Sequence, residues 1–331
     1  MRRPLVATFA CVCALMLSSC AGQDIVAQPV QTPQSGPVIE TGKVENILKE
    51  IQSVVDHADA TGELGPLNER LLDPALRMRH AQYSLAQSMN STVTPLKMAA
   101  GDIALTDTAT WPRAVVNIVN NGEASLPTAY VLMQDEARSP YRLHSWARIL
   151  GGTTFTIASV KKGSPTLAED SPGFVSTPKE AIEAYVNMLN EGNAGNTVFA
   201  TDEFASNYLQ DARTLNEAVQ AAGSVSAKAT LTDAPITGVV LEDGSALVAA
   251  SFTYTLTYAR TIARSTMRLG GTTAAIAPRE DVNVKGSATS HYIATLLLRV
   301  PTKQTGGSIS VVGAERVIES VDFDDSTDPD N

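Results

Sequence analysis

Apolar residues in this chain follow two different periods, and each period is confined to blocks. Between 43 and 61, Ile47, Leu48, Ile51, Val54 and Val55 recur at i, i+1, i+4, i+7 and i+8, with Lys43, Glu45, Lys49 and Glu50 on the other side. That spacing predicts an amphipathic helix. Gly62 and Gly65-Pro66 end it, and a second helix is predicted from Asp73-Pro74, an N-cap with proline at the first helical position, to about Met89. From 114 the period drops to two. Residues 114–119 form an apolar run with Asn120-Asn121-Gly122 as its turn, and 129–134 form another. Residues 141–150 set Tyr141, Leu143, Ala147 and Ile149 against Arg142, His144, Trp146 and Arg148, which predicts a sheet with one buried face.

The same order then recurs. Thr177-Pro178-Lys179-Glu180 supplies an N-cap, a first-turn proline and a reciprocal glutamate. The helix it opens has Ala181, Ile182, Tyr185, Val186 and Leu189 inward and ends at Glu191-Gly192-Asn193. A more polar helical region is predicted over 202–222. Strands follow at 236–241, 246–258, 292–300 and 308–321, with Val248, Ala250, Phe252, Tyr254, Leu256 and Tyr258 on one face of the second and Thr253, Thr255 and Thr257 on the other. Helices followed by meanders, instead of alternating with strands, predict an α+β chain and argue against a parallel nucleotide-binding sheet. The predicted division is a first α+β domain over 41–162, a linker over 163–176 carrying Gly163, Pro165, Pro172 and Gly173, a second α+β domain over 177–321 and an acidic tail over 322–331.

Residues 1–19 have the layout of a secretory signal: Arg2 and Arg3, an apolar core from Leu5 to Leu17, then Ser18 and Ser19. The apolar run falls short of the ~20 residues that cross a bilayer. Leu17-Ser18-Ser19-Cys20 reads as a lipobox, with Cys20 the lipid-attachment site. The competing reading is ordinary cleavage near Ala21. Cys11, Cys13 and Cys20 are the chain's 3 cysteines, so cleavage before Cys20 would leave one thiol and no intramolecular disulfide. Stability must then come from buried apolar surface. Each lipid methylene buried in a membrane contributes ~0.8 kcal/mol, and the several acyl chains implied by a lipoprotein cysteine hold firmly where one would not. Residues 20–40, with Pro29, Pro33 and Pro37 among polar residues, suit an extended tether. The predicted address is the extracytoplasmic face of a cell membrane.

The formal net charge is −10 and only 5% of residues are aromatic. Such a chain repels nucleic acid and lacks the residues for a base-stacking surface. No cofactor and no metal site is predicted. His57, His80, His144 and His291 are scattered, without a zinc-ligand spacing. Ser159-Val160-Lys161-Lys162 matches the SxxK pattern of penicillin-binding serine enzymes, but Gly163-Ser164-Pro165 follows where that chemistry needs a continuing helix. Nucleophile-elbow, Walker and GxGxxG patterns are absent from the sequence. The aspartates from 322 to 330 read as a solvated tail, lacking the glycine and terminal glutamate of a calcium loop. No catalytic residue is assigned. Trp111, Arg113, Tyr141, Trp146 and Arg148 are the candidate binding surface, since Trp, Tyr and Arg dominate interface hot spots; the alternative is that the aromatics are core and the arginines line it.

Several of these segments resemble a family. Trp111-Pro112-Arg113 opening a strand, Ser139-Pro140-Tyr141-Arg142-Leu143 leading to Trp146-Ala147-Arg148, and Thr177-Pro178 with Tyr185, taken with the lipobox, look like a group of actinobacterial cell-surface lipoproteins. The resemblance covers most of the chain beyond the leader. His144 stands where that pattern has an aromatic residue. The architecture it implies is tandem NTF2-like or cystatin-like α+β domains, each a helix packed on a curved antiparallel sheet, and it carries no catalytic residue with it. The function expected is a membrane-anchored, non-catalytic module that binds an envelope protein or ligand, or supports envelope assembly. The alternative is a small-molecule-binding protein or acid/base enzyme using an NTF2-like pocket. A solute-binding lobe pair of a transporter would need two α/β lobes around a cleft, which this element order does not supply.

Overall fold

A computed structural model describes residues 39–107, 110–122 and 125–331. The leader, Cys20 and most of the predicted tether lie outside the described residues. Among the described residues no helix is long and apolar enough to cross a membrane.

Helices α1 (Thr41–Thr61), α2 (Leu67–Arg70) and α3 (Ala75–Ser88) precede a meander of β1 (Asp102–Leu105), β2 (Arg113–Val119), β3 (Thr128–Gln134) and β4 (Arg142–Ile149). Then come α4 (Pro178–Asn190), α5 (Glu203–Val219), β5 (Gly223–Leu231), β6 (Thr237–Val240), β7 (Ala246–Arg260), the short α6 (Gly271–Ala275), β8 (Ser287–Val300) and β9 (Ser310–Asp324). The class is α+β, with an antiparallel sheet, as the element order predicts.

The helix signals act locally. Val44, Leu48, Ile51, Val55 and Ala58 form the buried stripe of α1, each contributing ~1.5–3 kcal/mol at full burial for the larger side chains. Gly62 ends α1 in the left-handed region, φ 76°, its N–H donating to the Ala58 carbonyl. At α4 the reciprocal cap is complete: Glu180 N donates to Thr177 Oγ1 at 3.2 Å and Thr177 N to Glu180 Oε2 at 2.9 Å. Ala181, Ile182, Tyr185, Val186 and Leu189 are all buried, as predicted. Asp73 does not cap α3. Its N-cap is Pro74, without a side-chain hydrogen bond, and the helix starts one position later than the Asp-Pro signal implied.

All nine strands belong to one sheet, ordered β1-β2-β3-β4-β9-β8-β7-β5, with β6 paired to β7 beyond the end of β5. The two predicted modules meet where Arg148 pairs Ala314 and Ile149 pairs Gly313, joining β4 to β9. Past those pairs α3 packs against both strands. Helices α1–α3 cover the first meander through Val115, Tyr130, Leu132, Leu143 and Trp146, and α4 and α5 cover the second through Phe252, Tyr254, Leu296 and Ile318. A third cluster fills the sheet's opposite face, where Val116, Val131, Ala147 and Ile149 pack with Val239, Leu247, Leu297 and Val312.

The stretch predicted as a linker is structural. Asp107 N donates to the Ser164 carbonyl and Ser164 N to the Leu105 carbonyl, both at 2.7 Å. Val240 N donates to Ser164 Oγ at 2.6 Å, and Thr166 bridges Val239. Residues 164–166 therefore tie the β1 edge to the β6 edge. The aspartates predicted to form a solvated tail are also engaged: Asp322 and Asp324 continue β9, Asp325 pairs with Arg279 at 2.9 Å, and Asp328 and Asp330 both pair with the buried Arg260.

The alternation read along 141–150 breaks at one residue. Val131 pairs Ser145 and Leu132 pairs Leu143, leaving His144 as an extra residue in β4. Such a bulge shifts the side-chain phase by one. Leu143 and Trp146 therefore join the helix-side cluster while Ala147 and Ile149 face the other way. His144 and Trp146, predicted to point outward, are buried.

Candidate functional site

The predicted surface residues do not converge on one patch. Trp111 is 38% exposed, and the Arg113 guanidinium lies 4.2 Å from its ring centroid. Tyr141 is buried nearby, and burial raises its pKa against the opposing charge of Arg113. Trp146, 2% exposed, is core. Arg148 lines a separate cavity of about 110 Å³ with Glu203, Phe204, Glu315 and Arg316. Burial raises the Glu315 pKa there, opposed by the hydrogen bond from the Arg316 N–H and by the charge of Arg148. A space that small is below the ~300–1,000 Å³ typical of ligand sites.

The other histidines are dispersed as the sequence implied. His57 lies 3.1 Å from Glu63 and His291 lies 3.0 Å from Asp322, on different elements. Ser159 to Lys162 is a turn, closed by the Lys162 N–H on the Ser159 carbonyl at 3.0 Å. Among the described residues no group of three or more His, Cys, Asp or Glu side chains is placed to hold a metal ion.

A larger groove, about 680 Å³, lies between the C-terminal end of α3 with the segment that follows it and the helix-covered face of the second meander beside α5. Four of the chain's 8 tyrosines line it: Tyr208 from α5, Tyr254 and Tyr258 from β7, and Tyr292 from β8. Pairing sets Tyr254 directly across from Tyr292, and the rings stack with centroids 4.6 Å apart and planes 1° apart. Tyr208 meets Tyr254 edge to face at 5.2 Å and 88°.

The polar groups around this floor are specific. Arg316 on β9 donates to Tyr254 Oη at 3.3 Å and to Asp211 Oδ2 at 2.9 Å, pinning β9, β7 and α5 together. Thr273 Oγ1 lies 3.4 Å from Tyr292 Oη. On the opposite wall Arg79, fully buried, pairs with Asp59 and donates to the Thr94 carbonyl at 2.9 Å, fixing the segment that carries Ser91, Thr92 and Thr94. Breaking a buried pair of this kind typically costs ~3–5 kcal/mol, so the wall is rigidly held.

Tyr208 is the exception to this pairing. It is 2% exposed, it lines the groove, and its hydroxyl has no hydrogen-bond partner. Burial pushes its pKa up to about 12. Burial likewise raises Tyr254 and Tyr258, so the phenols stay protonated and act as neutral donors and acceptors. No imidazole lines the groove, and its carboxylate, Asp211, is tied to Arg316. The groove thus offers aromatic faces, neutral phenols and one ion pair.

The strand alternation sets Tyr254 and Tyr258 on one face without singling them out. The available signal was the residue type: tyrosine, not phenylalanine, recurring on one strand face suits a surface apolar at one end and wet at the other. Comparison of the chain with known protein families, with curated proteins and with solved structures finds no match in any of the three.

Proposed function

We propose that this chain is a lipid-anchored extracytoplasmic binding protein, held to a cell membrane through a lipid on Cys20 and presenting the tyrosine groove to a ligand or envelope partner. The observation that carries the binding role is Tyr208, which lines a groove of ligand size and whose buried hydroxyl has no partner. A buried hydroxyl left without a partner is costly, and an incoming ligand group removes that cost. The anchoring role rests on Leu17-Ser18-Ser19-Cys20 behind a signal-like leader. The modular reading is that α1–α3 with β1–β4, and α4 and α5 with β5–β9, are two NTF2-like or cystatin-like units fused edge to edge through β4 and β9.

Fractionation tests the anchor. Cys20→Ala, or inhibition of the lipoprotein signal peptidase with globomycin, moves the protein from the membrane to the soluble fraction; an unchanged distribution refutes lipid anchoring.

A further inference from the structure

Tyr254 is enclosed by its neighbours, whereas Tyr292 is only half-buried and shows the groove what Tyr254 leaves uncovered. An aromatic face is electronegative and attracts cations or the partly positive hydrogens of C–H groups. Asp211 and Arg316 are the charged side chains of the lining, and they neutralise each other at 2.9 Å. The pair brings no net charge to the groove. The remaining polar lining is rich in hydroxyls and amide, including Gln82, Thr214, Thr272 and Thr273, groups that both donate and accept. An acyl chain would cover these groups without satisfying them. A peptide adding as a strand finds no free edge on the floor, since β7 and β8 are paired on both sides. A sugar ring meets both requirements, with an apolar C–H face for Tyr292 and a rim of hydroxyls for the walls.

We infer that the groove binds a neutral carbohydrate, a short oligosaccharide whose ring face lies on Tyr292 and one of whose hydroxyls pairs with Tyr208 Oη. This rests on the groove being a ligand site, as proposed above.

The test titrates the full-length chain with short neutral oligosaccharides of the cello, malto, manno and chito series, and separately with indole as a non-sugar aromatic probe, by saturation-transfer NMR and tyrosine fluorescence. At least one oligosaccharide is expected to bind. Tyr292→Ala should weaken that binding about tenfold or more, the scale of an aromatic hot spot. Tyr208→Phe, which keeps the ring, should weaken it by about two- to tenfold, the worth of one neutral hydrogen bond. Thermal melts of both variants confirm the fold. Sugar binding that survives Tyr292→Ala places the sugar elsewhere and overturns the inference. Indole binding that depends on Tyr292, with no sugar bound, overturns the carbohydrate class but leaves the groove a ligand site. Binding of neither overturns both.

Discussion

His144 is the residue whose environment most reverses its sequence pattern. Its imidazole is fully buried, with Nε2 2.7 Å from the Pro235 carbonyl and Nδ1 3.1 Å from Ser145 Oγ. Burial lowers its pKa from 6.5 to about 4, with the Pro235 carbonyl and Asp135 opposing. The unfolded chain therefore binds a proton that the native state refuses between those values, and stability falls as pH drops from about 6.5 towards 4. The full effect is on the order of 3 kcal/mol. Urea titrations of the native chain and His144→Gln at pH values across that window are expected to show a native-minus-variant stability difference that declines with acid; a difference independent of pH refutes the buried neutral imidazole. Alternation alone set His144 and Trp146 outward because a bulge has no strong local signature. What inserts the extra residue is the register between β3 and β4, which a single strand does not encode.

At the scale of elements, what the sequence makes legible is what neighbours along the chain decide. The box at Thr177 and Glu180 is complete within four residues, and the helix forms where it was predicted. Thr177→Ala is expected to cost ~1 kcal/mol in chemical denaturation with the slope unchanged; no loss would mean the first turn of α4 is held by packing alone. Strand β5 is the opposite case. Gly223–Leu231 has few large apolar residues, and its buried positions are Val225 and Ala229. It is a strand because all nine of its residues are in register with β7, and Asn190 of α4 closes hydrogen bonds to both the N–H and the carbonyl of Ala229. Such support comes from tertiary pairing, so no periodicity announced it.

For the whole molecule, the consequence is cooperativity. The two helix-then-meander halves share a sheet, residues 164–166 strap its edges, and the cluster holding Val116, Val131, Leu247 and Leu297 belongs to neither half. Neither half should then fold alone. Fragments 41–162 and 177–321, expressed separately, are expected to lack protected amides in hydrogen exchange, and the intact chain to unfold in one transition by Trp and Tyr probes alike. A stable isolated fragment would show that the halves are independent domains after all.

The sequence by itself determined most of the longer elements and their order, because helix stripes, caps and strand alternation arise from contacts between residues a few positions apart. It also carried the leader pattern that ends at Cys20. Only the tertiary structure decided that the meanders form one sheet, that a presumed linker closes it, and that tyrosines from α5, β7 and β8 meet across from the segment after α3. Those outcomes depend on pairings between residues far apart in the chain, such as Ser164 with Val240 and Arg148 with Ala314. The free energy of such contacts comes from surfaces that exist only once both partners are folded.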